Sequence, residues 1–324
     1  MFTELGEWVK LRYYDRYGRH VDSLRISVTT RCNLNCVFCH REGITGSRDE
    51  LLTAEDYGFI AKVASELEIY YHKLTGGEPL IREDIGDIVK YMKEYSKSVS
   101  ITTNGVFLEK RAKTLADAGV DYLNVSLHSL NPIVYSYITG GSSPKLLAHV
   151  LKGIEEALNL GLKIKINFLV MKVNIDQFRE ILNYASARGI DVNVIELIPL
   201  GTPPQVYVTE HTSVDPLISF LEEVSVEKHV REFQNRPVYT MPNGIKVTVI
   251  KGYGNPLLCA KCSRLRLTPD GKLKTCLFIE EPSVDILIYV KNRDEKGLHD
   301  AFVKAIMLRR PFFISGDSYG SKNG

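Results

Sequence analysis

Between about residues 22 and 198 the chain alternates short β-branched, aliphatic runs with longer stretches whose apolar positions recur at helical spacing. The runs at 24–29, 69–74, 98–103, 122–127, 163–170 and 192–198 predict strands. The stretches at 54–68, 84–95, 108–118, 145–160 and 177–188 predict the helices between them. Thr53 followed by Asp56 predicts a capped start for the first helix. Gly119, Gly161 and Gly189 each follow a helix and precede a strand, where a left-handed C-terminal cap belongs. Strands joined by helices imply βαβ units and a parallel sheet with right-handed crossovers. Six units are too few to close as an eight-stranded barrel does. The expected fold is therefore α/β: an incomplete (β/α)6 TIM-like barrel with an open lateral mouth, followed by a C-terminal α+β extension.

The pattern changes at Pro199-Leu200-Gly201-Thr202-Pro203-Pro204, which marks a boundary between regions 1–200 and 201–324. Beyond it short hairpins are favoured. Pro242-Asn243-Gly244 joins two β-rich runs, and Pro269-Asp270-Gly271 joins 265–268 to 272–276. A last helix is expected over 295–309, and the polar, Gly-rich stretch 315–324 is expected to be mobile.

Composition constrains function mainly by exclusion. The 324 residues are 44% hydrophobic and 25% charged, with a net charge of +2. That is ordinary globular usage, with no global field that points to nucleic acid or an anionic membrane. Anion binding must then come from local Arg and Lys clusters. The apolar runs are too short to span a bilayer and the N-terminus reads as lacking a leader, so the expected setting is the reducing cytoplasm.

All six cysteines fall into two triads. Cys32, Cys36 and Cys39 have the spacing C-x3-C-x2-C, and Cys259, Cys262 and Cys276 the spacing C-x2-C-x13-C. The Pro269-Asp270-Gly271 hairpin returns Cys276 toward Cys262, making one compact second site. Disulfides fit poorly, because cysteines this close in sequence pair badly and even-count frameworks belong to short secreted chains. Structural zinc requires four ligands, and only His40, beside the first triad, offers a fourth. Three thiolates on a four-iron cubane leave one iron open to a small molecule. Two such sites suggest chemistry at iron.

The motifs collect at the C-terminal ends of predicted strands, where barrel folds place their sites. The first triad follows the first strand, Thr75-Gly76-Gly77-Glu78-Pro79 follows the second, Thr102-Thr103-Asn104-Gly105 ends the third, and Ser126-Leu127-His128 ends the fourth. The first triad with Gly-Gly-Glu-Pro resembles the radical S-adenosylmethionine superfamily. Asp15-Arg16-Tyr17-Gly18-Arg19, Leu24-Arg25-Ile26-Ser27-Val28-Thr29, Cys262-Ser263-Arg264-Leu265-Arg266-Leu267-Thr268-Pro269-Asp270-Gly271 and Cys276-Leu277-Phe278 narrow the likeness to the GTP 3′,8-cyclase family of molybdenum-cofactor biosynthesis. His40-Arg41-Glu42-Gly43 and Val125-Ser126-Leu127-His128 are similar to its archaeal branch. The likeness runs from about residue 13 to 310.

The resemblance implies two [4Fe-4S] clusters, one on each triad, with S-adenosylmethionine chelated at the first and the guanine of GTP at the second. It implies S-adenosylmethionine contacts at Phe38, Gly77 and Ser126, with Glu78 accepting from the ammonium group. It implies GTP contacts at Arg25, Lys73, Thr102, Lys165, Arg264, Leu265 and Arg266. No catalytic residue is assigned beyond the clusters. The implied reaction cyclises GTP to 3′,8-cyclo-7,8-dihydro-GTP through a 5′-deoxyadenosyl radical. Implied partners are an electron donor and a downstream cyclic pyranopterin synthase, and a homodimer is compatible. Departures from the family pattern are Asn193 where bacterial relatives tend to carry arginine, Tyr71 for a common lysine, His128 for a common aspartate, Ile198 for a frequent methionine, and a terminus without a Gly-Gly pair. Rival readings are a peptide-modifying radical enzyme, which usually has more cysteines in its C-terminal part, a two-cluster electron carrier, and a zinc-stabilised barrel.

Overall fold

The computed structural model describes residues 13–311. Its first part is β1 (Ser23–Ser27), α1 (Ala54–Glu66), β2 (Tyr71–Thr75), α2 (Ile85–Lys93), β3 (Ser98–Thr103), α3 (Leu108–Asp117), β4 (Tyr122–Ser126), α4 (Pro132–Ile138), α5 (Leu146–Asn159), β5 (Ile164–Val170), α6 (Phe178–Ser186) and β6 (Asp191–Glu196). The second part is α7 (Pro204–Glu210), α8 (Asp215–Val224), β7 (Glu227–Arg231), β8 (Arg236–Thr240), β9 (Lys246–Ile250), α9 (Pro256–Ala260), β10 (Arg264–Leu267), β11 (Lys272–Lys274), β12 (Ser283–Asp285), α10 (Leu287–Lys291) and α11 (Glu295–Met307). The six expected strands and five expected helices are all present, shifted by a few residues at their ends. Helix α4 was not expected; Asn131 starts it, its side chain accepting from the Ile133 and Val134 amides. Helices α7 and α8 also enter a stretch where hairpins were favoured. The 315–324 tail lies outside the described residues.

The strands form one 12-stranded sheet in the order β12-β11-β10-β1-β2-β3-β4-β5-β6-β9-β8-β7. Strands β1 to β6 are parallel, as the alternation required. Residues beyond 200 extend this sheet at both edges. Strand β10 pairs in parallel with β1, β9 pairs in parallel with β6, and antiparallel strands lie outside each. No helix among the described residues is long and apolar enough to cross a membrane.

The two faces of the sheet differ. Leu24, Ile26, Leu74, Ile101, Leu123 and Leu265 are fully buried in the main core, packed with helix residues such as Tyr57, Ile88 and Ile154. Each such side chain contributes roughly 1.5–3 kcal/mol of burial. The alternate positions carry Arg25, Lys73, Thr102, Asn124, Ser126, Asn167 and Asn193. Parallel strands usually read apolar on both faces, so this polar face marks a wall turned to a cavity.

Local signals hold the frame. Thr53 and Asp56 form a reciprocal capping box on α1. Asp56 also accepts from Lys291 at 2.5 Å and Arg293 at 2.8 Å, tying α1 to the C-terminal helices.

Candidate active site

One cavity is lined by all six cysteines and by side chains from β10 through β1 to β6 and on to β8. The six thiols are free. The two triads lie at opposite ends of one strand pair. Cys32 follows the C-terminal end of β1. Cys262 immediately precedes the N-terminal end of β10, which runs parallel to β1 with Ser23 opposite Arg264. A five-residue strand separates those ends by about 13–17 Å. The second triad therefore does not share the strand C-termini with the other motifs; it faces them across the sheet's polar wall.

The loop of the first triad is shaped by backbone that lies against it. A Cβ at Gly77 would lie 2.0 Å from the Arg31 carbonyl oxygen, and one at Gly76 would lie 2.2 Å from that of Thr29. The Gly77 and Glu78 amides donate to those same carbonyls at 2.8 Å. These glycines admit the strand leading into the cysteine loop, a reason in addition to any approach of a ligand. Glu78 is 1% exposed, and its carboxylate already accepts from the Leu80 and Asn104 amides and the Thr103 hydroxyl. Burial raises its pKa to about 7 against those three hydrogen bonds. Glu78 thus organises the third motif loop, and less of it is open to an ammonium group than the sequence suggested. Phe38, Gly77 and Ser126 all line the cavity, with Phe38 edge-on to His128 at 5.0 Å.

The residues fit iron–sulfur clusters better than a single ion. Among the described residues no three Cys, His, Asp or Glu side chains converge closely enough to hold one metal ion, whereas thiolates around a cubane cap separate irons. His40 Nδ1 accepts from the Glu42 amide at 3.0 Å, so that nitrogen is not available as a fourth zinc ligand. A side-chain amide points at one sulfur of each triad: Asn104 Nδ2 is 3.9 Å from Cys32 Sγ, and Gln234 Nε2 is 3.5 Å from Cys262 Sγ. Such hydrogen bonds tune cluster potentials. Burial pushes the Cys36 thiol up. Burial also opposes ionisation of Cys262, yet Arg309 and Arg264 beside it bring its pKa below the ordinary thiol value.

The second triad is braced by the Asp15-to-Arg19 motif, whose role the sequence left unassigned. Asp15, 4% exposed, holds Arg19 at 2.7 Å and Arg309 at 3.0 Å. Arg19 Nη1 donates to the Cys259 carbonyl at 3.0 Å, and Arg309 Nη2 donates to the Cys262 carbonyl. One carboxylate thereby orients the backbone of two cysteines.

Between the triads lies a basic wall. Parallel register sets Arg266, Arg25 and Lys73 side by side across β10, β1 and β2. Glu42 is 5% exposed and faces them. It receives Arg25 in a two-point contact at 2.8 and 2.6 Å, Arg266 at 2.6 Å and the Thr75 hydroxyl at 3.0 Å. Burial works against its charge, but Arg25 and Arg266 hold the carboxyl well below the usual range. Lys73 lies over the Tyr122 ring at 5.3 Å, and Arg264 over Phe233 at 4.9 Å. Among the described residues no carboxylate forms an ion pair with Lys73, Arg236 or Arg264. Burial, then the neighbouring cations, lower Arg264 to about 9 and Lys73 well below the ordinary lysine value. Half-buried cations that lack carboxylate partners make an anion site.

Of the residues expected to contact ligands, two do not line the cavity. Leu265 has its side chain in the core, 0% exposed, because it alternates with Arg264 and Arg266 along β10. Lys165 shares the polar face of β5 with Asn167 and lies opposite Asn124, but it sits at the start of the strand, paired with Asp191 at 3.3 Å. Asn193 donates to Asn167 at 2.8 Å, so that corner of the cavity is polar and neutral. Glu42 and Arg236 were missed. Glu42 sat within a quoted motif, but nothing local says that it faces two distant arginines.

This fold and site define a radical S-adenosylmethionine enzyme. The Radical SAM superfamily profile matches residues 26–185, and the Molybdenum Cofactor Synthesis C profile matches residues 190–313. Streptococcus suis SuiB bound to S-adenosylmethionine has a similar fold, with a TM-score of 0.65 at 16% identity, over 89% of this chain and 69% of that one. Native anSMEcpe with bound AdoMet gives 0.54 at 16% identity, over 86% of this chain and 82% of that one. A probable GTP 3′,8-cyclase of Sulfolobus acidocaldarius is 39% identical over 307 residues, covering 92% of this chain and 96% of its own. One of Pyrobaculum aerophilum is 39% identical over 305 residues, covering 93% and 97%. The chain belongs to the GTP 3′,8-cyclase family.

Proposed function

We propose that this chain cyclises GTP to 3′,8-cyclo-7,8-dihydro-GTP by radical S-adenosylmethionine chemistry, the first step of molybdopterin biosynthesis. One observation carries the finer reading: two cysteine triads open on a single cavity with a carboxylate-poor basic wall between them. In that reading residues 1–200 form an incomplete (β/α)6 barrel, and residues 201–324 supply the auxiliary cluster and much of the GTP site. Cys32, Cys36 and Cys39 hold one [4Fe-4S] cluster, and Cys259, Cys262 and Cys276 hold the other.

When bound, the first cluster and S-adenosylmethionine supply an electron and a 5′-deoxyadenosyl radical that takes the ribose 3′ hydrogen. The chain's own residues do the placing. Phe38 offers a flat apolar face, Gly77 and Ser126 line the S-adenosylmethionine end, and Glu78 fixes the Asn104 loop beside Cys32. Arg25, Lys73, Arg264 and Arg266 supply forks and point charge for the triphosphate. Thr102 lines the same wall, Lys165 contributes charge from the start of β5 on the same face, and Leu265 is left with its main chain as a contact. The Glu42 carboxylate holds Arg25 and Arg266 in place and neutralises part of the wall until substrate phosphates arrive. An external electron donor and a downstream cyclic pyranopterin synthase complete the sequence.

The test is anaerobic reconstitution with iron and sulfide, then incubation with S-adenosylmethionine, dithionite and GTP, with products read by mass spectrometry. About eight irons per chain, 5′-deoxyadenosine and an isomer of GTP are expected. Deoxyadenosine without a GTP-derived product would reopen the substrate. Zinc with no cofactor cleavage would overturn the reading.

A further inference from the structure

The turn Phe233-Gln234-Asn235-Arg236, leading into β8, is built as if to aim one guanidinium. Gln234 and Asn235 are non-glycine residues in left-handed conformation, at φ +59° and +47°. Such backbone persists only where its surroundings impose it. Here the surroundings are the loop of the second triad. The Gln234 amide donates to the Lys261 carbonyl at 3.0 Å, and Asn235 Nδ2 donates to the Leu257 carbonyl at 2.8 Å. The Gln234 side chain then splits its two ends. Nε2 reaches Cys262 Sγ at 3.5 Å, and Oε1 accepts from Arg236 Nη2. Phe233 completes the arrangement, with Arg264 at 4.9 Å and Arg236 at 5.0 Å from its ring centre.

Arg236 lines the cavity with Arg25 and Arg264, and its Nε is buried with no hydrogen-bond partner. A buried donor left unpaired in a native site calls for a partner that the protein does not itself supply. The Phe233 ring and one amide oxygen hold the guanidinium while leaving its Nε without a partner. Two strands away on the same sheet, Asn193 of β6 offers no cation and is engaged with Asn167.

We propose that Arg236 is a further substrate ligand that binds the phosphate chain of the nucleotide, with Gln234 registering it against the second triad. The proposal rests on GTP being the substrate. It places one phosphate contact on β8, beside the edge strand β7.

Equilibrium binding of GTP, inorganic tripolyphosphate and guanosine to the anaerobic, cluster-loaded protein tests it, in wild type, Arg236→Gln and Arg236→Lys. The expected result is a loss of about 10–100-fold for GTP and tripolyphosphate in the Gln variant. Guanosine affinity should stay within about twofold, and Lys should be intermediate because it keeps the charge without the fork. Wild-type GTP affinity in Arg236→Gln would overturn the assignment while leaving GTP as substrate. An equal loss for guanosine would overturn it too, since damage to the second triad would then explain the effect. Wild-type protein that binds neither GTP nor tripolyphosphate would overturn the GTP reading and this inference with it.

Discussion

Replacing Glu42 with Gln isolates the carboxylate that pairs with Arg25 and Arg266 on the basic wall. The change keeps shape and removes a charge that meets Arg25 twice and Arg266 once, at 2.6–2.8 Å. At an effective dielectric constant of about 20, charge centres about 4 Å apart attract by about 4 kcal/mol. Two such attractions are offset by the cost of burying three ions. Breaking a buried pair by removing one partner nets about 3–5 kcal/mol of destabilisation. For a chain this long each kcal/mol moves the melting temperature by about 2 °C, so a drop of about 6–10 °C is expected in the cluster-loaded protein at a fixed scan rate. GTP should then stabilise the variant more than wild type, because its phosphates replace the missing negative charge. At one hundred times Kd, wild type should gain about 2.7 kcal/mol, or about 5 °C. A variant melting within about 2 °C of wild type, with an equal GTP shift, would refute the idea that Glu42 neutralises the wall.

Other expectations concern the two triads and the frame. Cys36→Ala should abolish cleavage of S-adenosylmethionine and lower iron by about four per chain; normal cleavage would sink the first-site assignment. Asp15→Asn should loosen the Cys259 and Cys262 backbone, lowering iron at the second site while deoxyadenosine formation persists. Retention of full iron in that variant would show that the Arg19 and Arg309 braces are dispensable. Gly77→Ala must displace the Arg31 carbonyl, which lies 2.0 Å from the added carbon, costing about 1–3 kcal/mol and weakening S-adenosylmethionine binding; unchanged affinity would contradict the tight approach. Burial opposes the charge of Asp56, but Lys291, the Thr53 amide and Arg293 depress its folded pKa. Its contribution, about 1 kcal/mol for a cap with half-exposed cations, is present above the ordinary carboxylate pKa and lost as pH falls through the depressed one. Melting curves of wild type and Asp56→Asn should therefore differ near pH 7 and converge as pH falls through the depressed pKa of Asp56.

Period-two and helical patterning gave the central strands and helices, because each has one face in a continuous apolar core. The cysteine triads were legible because their spacing is chemical. Side-chain alternation also put Arg264 and Arg266 on one face of β10, and it equally turns Leu265 into the core. Contacts between distant segments were not legible. Glu42 lies 17 residues from Arg25 and 224 from Arg266 along the chain, and only strand pairing of β10 with β1 brings all three together. Arg236 escaped notice for the same reason, since its stretch reads as an unremarkable turn until the sheet carries it to the cavity. Gly76 and Gly77 were read for a ligand, but backbone packing alone already requires them.

The pairing of β10 with β1 also constrains how the reaction is arranged. The C-terminal region could have carried the second triad on a separate lobe, and the distance between the triads would then vary with lobe motion. Here the strand that leads into Cys32 is hydrogen-bonded to the strand that leaves Cys262. The strand ends from which the two cysteine loops spring are therefore held apart by one strand length, about 13–17 Å. In the proposed reading, a nucleotide held at the second triad and by Arg264, Arg25 and Lys73 lies on the wall between the two triads. Abstraction of one hydrogen requires that geometry to be held to a fraction of an ångström. The sheet supplies the ruler, and the cations along it supply the marks.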